Sequence, residues 1–432
     1  MKNKLFIYFQ INIITFIVAI ALIKILFNSS FIEPDYYACT QIKFMEFSIF
    51  ENSFFLNYPI SCDQNEYLLG FNNFNYIINN EYSYQQRPIY IFSVFFINNM
   101  FSPLYSLFNF NEFFSIIFSI IIVHIFVLNA GLMMILELTD VKKISLKDKI
   151  FVVVINTLHP MAKWGLFEPS NQMLTLLQLV FPIYMIKKNR NISFFWWGLL
   201  FLYNRTFLVS FLIYFILKII RDKKFKPRYF FEILLFIMPF FIYKFYFFIN
   251  DINSFDTNTE TYQQFTWIID YFTGGNRKYG EYFCHRIPGF ISCYLDRTID
   301  LLTYLSIPFI VSIFVLYFNF RNENKLIKQL LISFSIFYIF WSLIGWYPLR
   351  FIYYSLGNLI NFLLIYGYFK VNRNVLEKTF YSIPLVFYFL FLTMWNNPES
   401  NAFIASQVVY LSGALFVLYI YIRRKNKSNF IV

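Results

Sequence analysis

Long apolar runs, joined by connections of which every second one is basic, constrain this chain more than any other feature. A helix needs about 20 apolar residues to cross the hydrocarbon core of a bilayer. Runs of that character fall at 5–27, 113–137, 150–167, 171–186, 192–203, 206–220, 229–249, 299–320, 329–346, 351–369, 379–395 and 402–422. The pair at 192–203 and 206–220 is the shortest. Lys2 and Lys4 precede the first run. Basic clusters then follow at Lys142, Lys143, Lys147 and Lys149, at Lys187, Lys188 and Arg190, and across 218–228. Others lie at Arg321, Lys325 and Lys328, at Lys370, Arg373 and Lys378, and at Arg423, Arg424, Lys425 and Lys427. Lysine and arginine favour cytoplasmic loops, which puts these clusters and both termini on one side. A count wrong by a single span would break the alternation.

The expectation is therefore an all-α, polytopic transmembrane bundle of about twelve spans, with both termini in the cytoplasm. Residues 1–432 form one membrane domain with two long outer loops, 28–112 and 250–298. Composition agrees: 58% of residues are hydrophobic and 14% charged, against about 45–50% and about 25% in soluble domains. The net charge of +12 reads as a topology signal rather than a nucleic-acid footprint. No small-x-small cleavage pattern follows the first run at Asn28-Ser29-Ser30, so it is expected to remain as a helix. Within the first loop, the apolar stretch 88–108 is broken by Asn98, Asn99, Ser102 and Pro103. It is expected as helices in the interface or dipping into the membrane rather than as a clean span. The many Phe and Tyr are expected mostly to face lipid or pack.

Most acidic residues fall in the outer connections, and so do all four cysteines. Cys39 and Cys62 share the first loop, and Cys284 and Cys293 share the second. Two local disulfides in an oxidising compartment fit that distribution; four free thiols are the alternative.

Three short motifs can carry chemistry. Glu33-Pro34-Asp35-Tyr36 follows the first span directly. A carboxylate held just above the membrane can act as a base or hold a divalent metal such as Mg or Mn; the plainer role is an acidic loop start. Gln85-Gln86-Arg87-Pro88 puts an arginine at a helix start, where it opposes the helix dipole and calls for an anionic partner. The plainer role there is a snorkelling interfacial arginine. Trp346-Tyr347-Pro348-Leu349-Arg350-Phe351 puts another arginine at the outer end of a span, where a charge is expensive unless it faces a ligand. An aromatic and arginine belt is its plainer reading. Glu168, Arg205, Asp63, Glu66 and the set Arg277, Lys278, Glu281, His285 and Arg286 are weaker candidates. His124, His159 and His285 are too scattered for a metal site, and no phosphate loop, G-x-S-x-G, H-E-x-x-H or C-x-x-C motif is present.

The order of these motifs resembles the GT-C integral-membrane glycosyltransferases, which use polyprenyl-phosphate-linked sugars. The acidic motif after the first helix is matched by Glu33-Pro34-Asp35-Tyr36, with Tyr36 where a second acid often stands. The later Arg-Pro is matched by Arg87-Pro88, and the arginine with an aromatic at an outer helix end by Arg350-Phe351. The resemblance covers the topology of the whole chain but only about fifteen residues of motif. It implies a lipid-linked sugar donor, a glycan or lipid acceptor, and transfer on the periplasmic or extracellular face of the plasma (inner) membrane. Asp35, with Glu33 beside it, would be the base, Arg350 would bind the lipid phosphate, Arg87 would orient donor or base, and Glu168 would add a second carboxylate. Two other readings are weighed. One is an O-antigen or capsule polymerase or ligase acting through His285 and Arg286. The other is a transporter or flippase, which would be expected to carry internal repeats and charges within the bundle.

Overall fold

A computed structural model describes residues 4–27, 44–57, 67–188, 194–253, 299–343, 353–394 and 402–428, apart from short stretches within them. Each apolar run of the sequence lies on helix. In chain order these are α1 (Lys4–Phe27), a short α2 (Phe74–Asn79), α3 (Pro88–Leu107), α4 (Glu112–Leu138) and α5 (Leu146–Leu158). Next come α6 (Val180–Lys188), α7 (Phe194–Tyr203), α8 (Phe207–Asp222) and α9 (Arg228–Ile249). The last are α10 (Ser306–Phe320), α11 (Lys325–Leu343), α12 (Asn358–Tyr366), α13 (Val375–Met394) and α14 (Ala402–Ser428). Among the described residues, three stretches are long and apolar enough to cross a membrane: Lys4–Leu22, Ser115–Leu138 and Arg228–Ile249. Phe194–Tyr203, Ser306–Tyr317 and Val409–Tyr421 are apolar but shorter.

The first long loop departs from an all-helical reading. It contains an antiparallel hairpin, β1 (Phe44–Ile49) and β2 (Asn52–Asn57), with Phe44 opposite Asn57 and Ile49 opposite Asn52. The stretch 88–107 is one continuous helix rather than several, and it is not among the stretches long and apolar enough to cross a membrane. Pro88 starts α3, where the missing N–H costs nothing, and Pro103 is accommodated inside it. Phe92, Phe96, Met100 and Leu104 recur every fourth residue on its exposed side. Its other side packs Tyr90, Ile91, Val94 and Tyr105 into the bundle. A contiguous apolar stripe of this kind is unfavourable against water and suits lipid.

Several runs end where local chemistry dictates. The helix in the run 150–167 is interrupted after Leu158, because the residue before Pro160 is pushed to extended backbone; His159 has φ −53 and ψ 134. The start of α5 is fixed by a capping box, in which the Ser145 hydroxyl accepts from the Asp148 N–H and the Asp148 carboxylate accepts from the Ser145 N–H. The run 171–186 begins as a 3-10 turn, Asn171–Leu177, before α6. The run 351–369 is α12 flanked by two π-helical turns, Tyr353–Gly357 and Gly367–Val371, and α12 is buried along its whole length.

Ion pairs gather many of the basic connections at one end of the bundle. Lys4 and Lys188 both reach Glu137, at 2.9 and 3.3 Å. Lys187 reaches Asp140 at 2.7 Å, and Lys378 reaches Asp148 at 3.3 Å. Arg423 donates to the Val371 carbonyl at 2.9 Å. Burial pushes the Asp148 carboxyl up. Hydrogen bonds from Ser145 and Tyr368 and the charge of Lys378 outweigh it and hold the group below its ordinary range. Elsewhere the helices are joined by buried polar contacts. Asn129 bonds Thr15 at 3.0 Å and Asn12 at 3.0 Å, and Asn361 donates to Asn156 at 2.8 Å. In an apolar surround such contacts join helices that gain nothing from a hydrophobic contrast with lipid.

Candidate functional site

The site grows from the slope of α3 against α4. The Tyr90 hydroxyl lies 3.2 Å from His124 Nε2, near the middle of α4. Tyr105 bonds Ser119, closer to the start of α4, at 2.9 Å. At 1.5 Å rise per residue, His124 stands roughly 18 Å along α4 from Glu112. Tyr90, in the first turn of α3, therefore reaches the middle of α4. His124 is fully buried, and its Nδ1 lies 3.0 Å from the Leu166 carbonyl. That contact fixes the ring, as expected for a positioned imidazole.

An aromatic set surrounds this point. Tyr67 packs on Phe71 and Tyr90, and Tyr90 packs edge-on against Tyr203 with centroids 5.2 Å apart. The Arg87 guanidinium sits over the Tyr67 ring at 5.6 Å, a cation–π distance. Tyr203 ends the ten-residue α7, and the turn Asn204-Arg205-Thr206 follows at once. Asn204 is buried, and Arg205 and Thr206 are half-buried. Asn204 holds it: its side-chain oxygen accepts from the Thr206 N–H at 3.0 Å and from the Thr206 hydroxyl at 2.6 Å.

Arg205 and Lys244 share one narrow cleft with Gln85, Leu202, Phe240, Tyr243 and Phe247. Gln85 is buried and anchored twice. Its carbonyl accepts from the Tyr243 hydroxyl at 2.7 Å, and its side-chain amide donates to the Asn253 carbonyl at 3.3 Å. Those bonds pin the segment leading into Arg87 against α9. Lys244 has no ion-pair partner among the described residues; Phe247 lies 5.9 Å from its ammonium. Two cations and a fixed amide at a cleft of this kind suit an anionic oxygen-rich group such as a phosphate.

Of the residues singled out from sequence, Arg87 lies in this arrangement and Arg205 joins it. Glu33, Asp35, Glu168, Arg350, His285 and Arg286 lie outside the described residues, as do Cys39, Cys62, Cys284 and Cys293. Among the described residues no group of three or more His, Cys, Asp or Glu converges. Reasoning from sequence passed over Lys244, although an isolated lysine inside an apolar span is itself a signal of function. It set aside His124 because one imidazole within a span makes no metal site. Its contact with Tyr90 depends on the slope of α3, which periodicity does not reveal. No protein family, no curated protein and no solved structure matches the chain.

Proposed function

We propose that this chain is an integral-membrane glycosyltransferase that takes a sugar from a polyprenyl-phosphate carrier and passes it to an acceptor hydroxyl on the outer face of the membrane. The observation that carries the reading is the cationic cleft of Arg205 and Lys244, beside the last turns of α9 and tied through Gln85 to the Arg87-Pro88 motif. In this reading the bundle has about twelve crossings and the ion-paired end faces the cytoplasm. The concentration of Lys and Arg in alternate connections supports that orientation. So does the meeting of Lys4, Lys188 and Glu137 at one end.

The chemistry follows from the charges. A glycosyl phosphate is already activated, and its leaving group departs as an anion. Preorganised cations at the leaving oxygens are then the larger contribution to rate. Arg205 and Lys244 supply them, and Arg87 orients the donor. The cleft is narrow, with about 10 Å³ of interior volume, room for a single water. Asp35, placed by sequence just after α1, is the base for the acceptor hydroxyl, with Glu33 beside it. A divalent metal at those carboxylates and a phosphate contact from Arg350 complete the reading.

The test uses purified full-length protein in detergent. A polyprenyl monophosphate should raise its melting temperature, and the corresponding polyprenol should not. Arg205→Ala and Lys244→Ala should each weaken that binding by about ten- to a hundred-fold, since charge-assisted bonds contribute roughly 1.5–3 kcal/mol. Asp35→Asn should keep the binding and lose transfer of sugar. Equal stabilisation by phosphate and alcohol, or full binding by both cation variants, overturns the reading.

A further inference from the structure

The turn between α8 and α9 has the sequence Asp222-Lys223-Lys224-Phe225-Lys226-Pro227-Arg228. Its single acid is spent internally. The Asp222 carboxylate accepts from Arg221 Nε at 2.9 Å, Lys226 Nζ at 2.7 Å and the Tyr229 hydroxyl at 2.7 Å. These bonds, from Lys226 first, hold its carboxyl far below the usual range, so it stays an anion committed to its own loop. Lys223 closes α8 in the left-handed region, with φ 53, and its N–H bonds the Ile219 carbonyl. The tip is therefore an ordered turn. Lys223 and Lys224 are exposed and have no ion-pair partner among the described residues. Phe225, between cations on both sides, is 61% exposed.

The helices on either side define what this tip faces. Ile220 on α8 and Phe230 and Phe231 on α9 are also exposed. They continue the apolar surface that suits lipid to within a residue or two of the lysines. A phenylalanine at that boundary sits at the level where acyl chains meet headgroups. The neighbouring lysines then reach the headgroup layer, their stems lying along apolar surface. We propose that the 222–228 turn docks anionic phospholipid, with Lys223 and Lys224 on the headgroup phosphate and Phe225 among the acyl chains. This uses residues at the other end of α8 and α9 from the cationic cleft and depends only on the chain being membrane-embedded.

The experiment titrates the full-length protein in detergent with phosphatidylglycerol and, separately, phosphatidylcholine, counting bound lipid by native mass spectrometry. Phosphatidylglycerol should bind more tightly. Each basic residue near an anionic surface contributes about 1 kcal/mol, or about five-fold. The variant Lys223→Gln/Lys224→Gln should accordingly lower phosphatidylglycerol affinity by about 25-fold while leaving phosphatidylcholine unchanged. Lys223→Arg/Lys224→Arg should retain the preference, and Phe225→Ser should weaken both lipids. Unchanged phosphatidylglycerol binding in the glutamine variant overturns the proposal. So does displacement of the lipid by inorganic phosphate, which would mark a free-anion site. Failure here leaves the melting response to polyprenyl phosphate intact, so the two readings fall separately.

Discussion

Replacing Glu232 by Leu should destabilise the protein more than replacing Lys218 by Met, and making both changes should cost less than either alone. Lys218 and Glu232 join α8 to α9, with the ammonium 2.6 Å from each carboxylate oxygen. The lysine side chain is 2% exposed and the glutamate 10%. Removing one partner of a buried pair costs about 3–5 kcal/mol, because the other charge is left without compensation. The two truncations are unequal. Without Lys218, Glu232 still has Arg228 at 3.5 Å, which puts Lys218→Met near 3 kcal/mol, the lower end of that approximate range. Without Glu232, Lys218 keeps only the Tyr214 hydroxyl at 2.9 Å and the rings of Tyr229, Tyr214 and Phe194 at 4.7, 5.0 and 5.8 Å. Cation–π contacts recover roughly 2 kcal/mol at best, so Glu232→Leu belongs near the upper end. The double variant buries no charge and fills similar volume. Unfolding of the four proteins in mixed detergent micelles, followed by near-ultraviolet dichroism, gives the coupling energy directly. Additive single effects, with the double variant the least stable, would refute a mutually dependent pair.

Other outcomes follow from the same physics. A Cβ on Gly198 would lie 2.2 Å from the Phe236 carbonyl oxygen and 2.7 Å from Pro239, so Gly198→Ala should destabilise the α7–α9 contact by about 1–3 kcal/mol in the same unfolding assay; wild-type stability would show that α7 is free to withdraw. The Asp148 carboxyl is held below its ordinary range, so its contribution is complete above the unfolded-state pKa and lost as pH falls through the folded one. Asp148→Asn should accordingly be less stable than wild type at pH 7, with the gap closing in acid; a gap that widens in acid would contradict the assignment. Single cysteines at Lys224 and Asn73, in a background freed of native thiols, should label from opposite sides of sealed vesicles; labelling from one side would overturn the proposed orientation.

The helices were legible because apolar runs must find either a core or lipid, and their lengths are countable. Their ends were less so. Pro160 announced the end of α5 at the preceding residue, but the apolar count carried the expected helix past it. The stretch 88–108 looked interrupted because Asn98, Asn99 and Ser102 are polar. Within the helix Asn99 donates to the Phe95 carbonyl and Ser102 to the Asn99 carbonyl, and Asn98 accepts from the Ser119 hydroxyl of α4, so they do not break it. Arg87 stood out as an arginine before a helix-starting proline. Arg205 was visible only as one charge between two short spans.

By itself the sequence determined that the chain is helical and apolar and that its basic residues fall in alternate connections. Those properties follow from composition and spacing, which act locally or through the solvent. Only the tertiary structure decided that Gln85, Arg205, Tyr243 and Lys244 meet at one cleft, and that Tyr90 of α3 meets His124 of α4. Those meetings depend on how helices far apart in the chain interlock, and hydropathy carries no record of that.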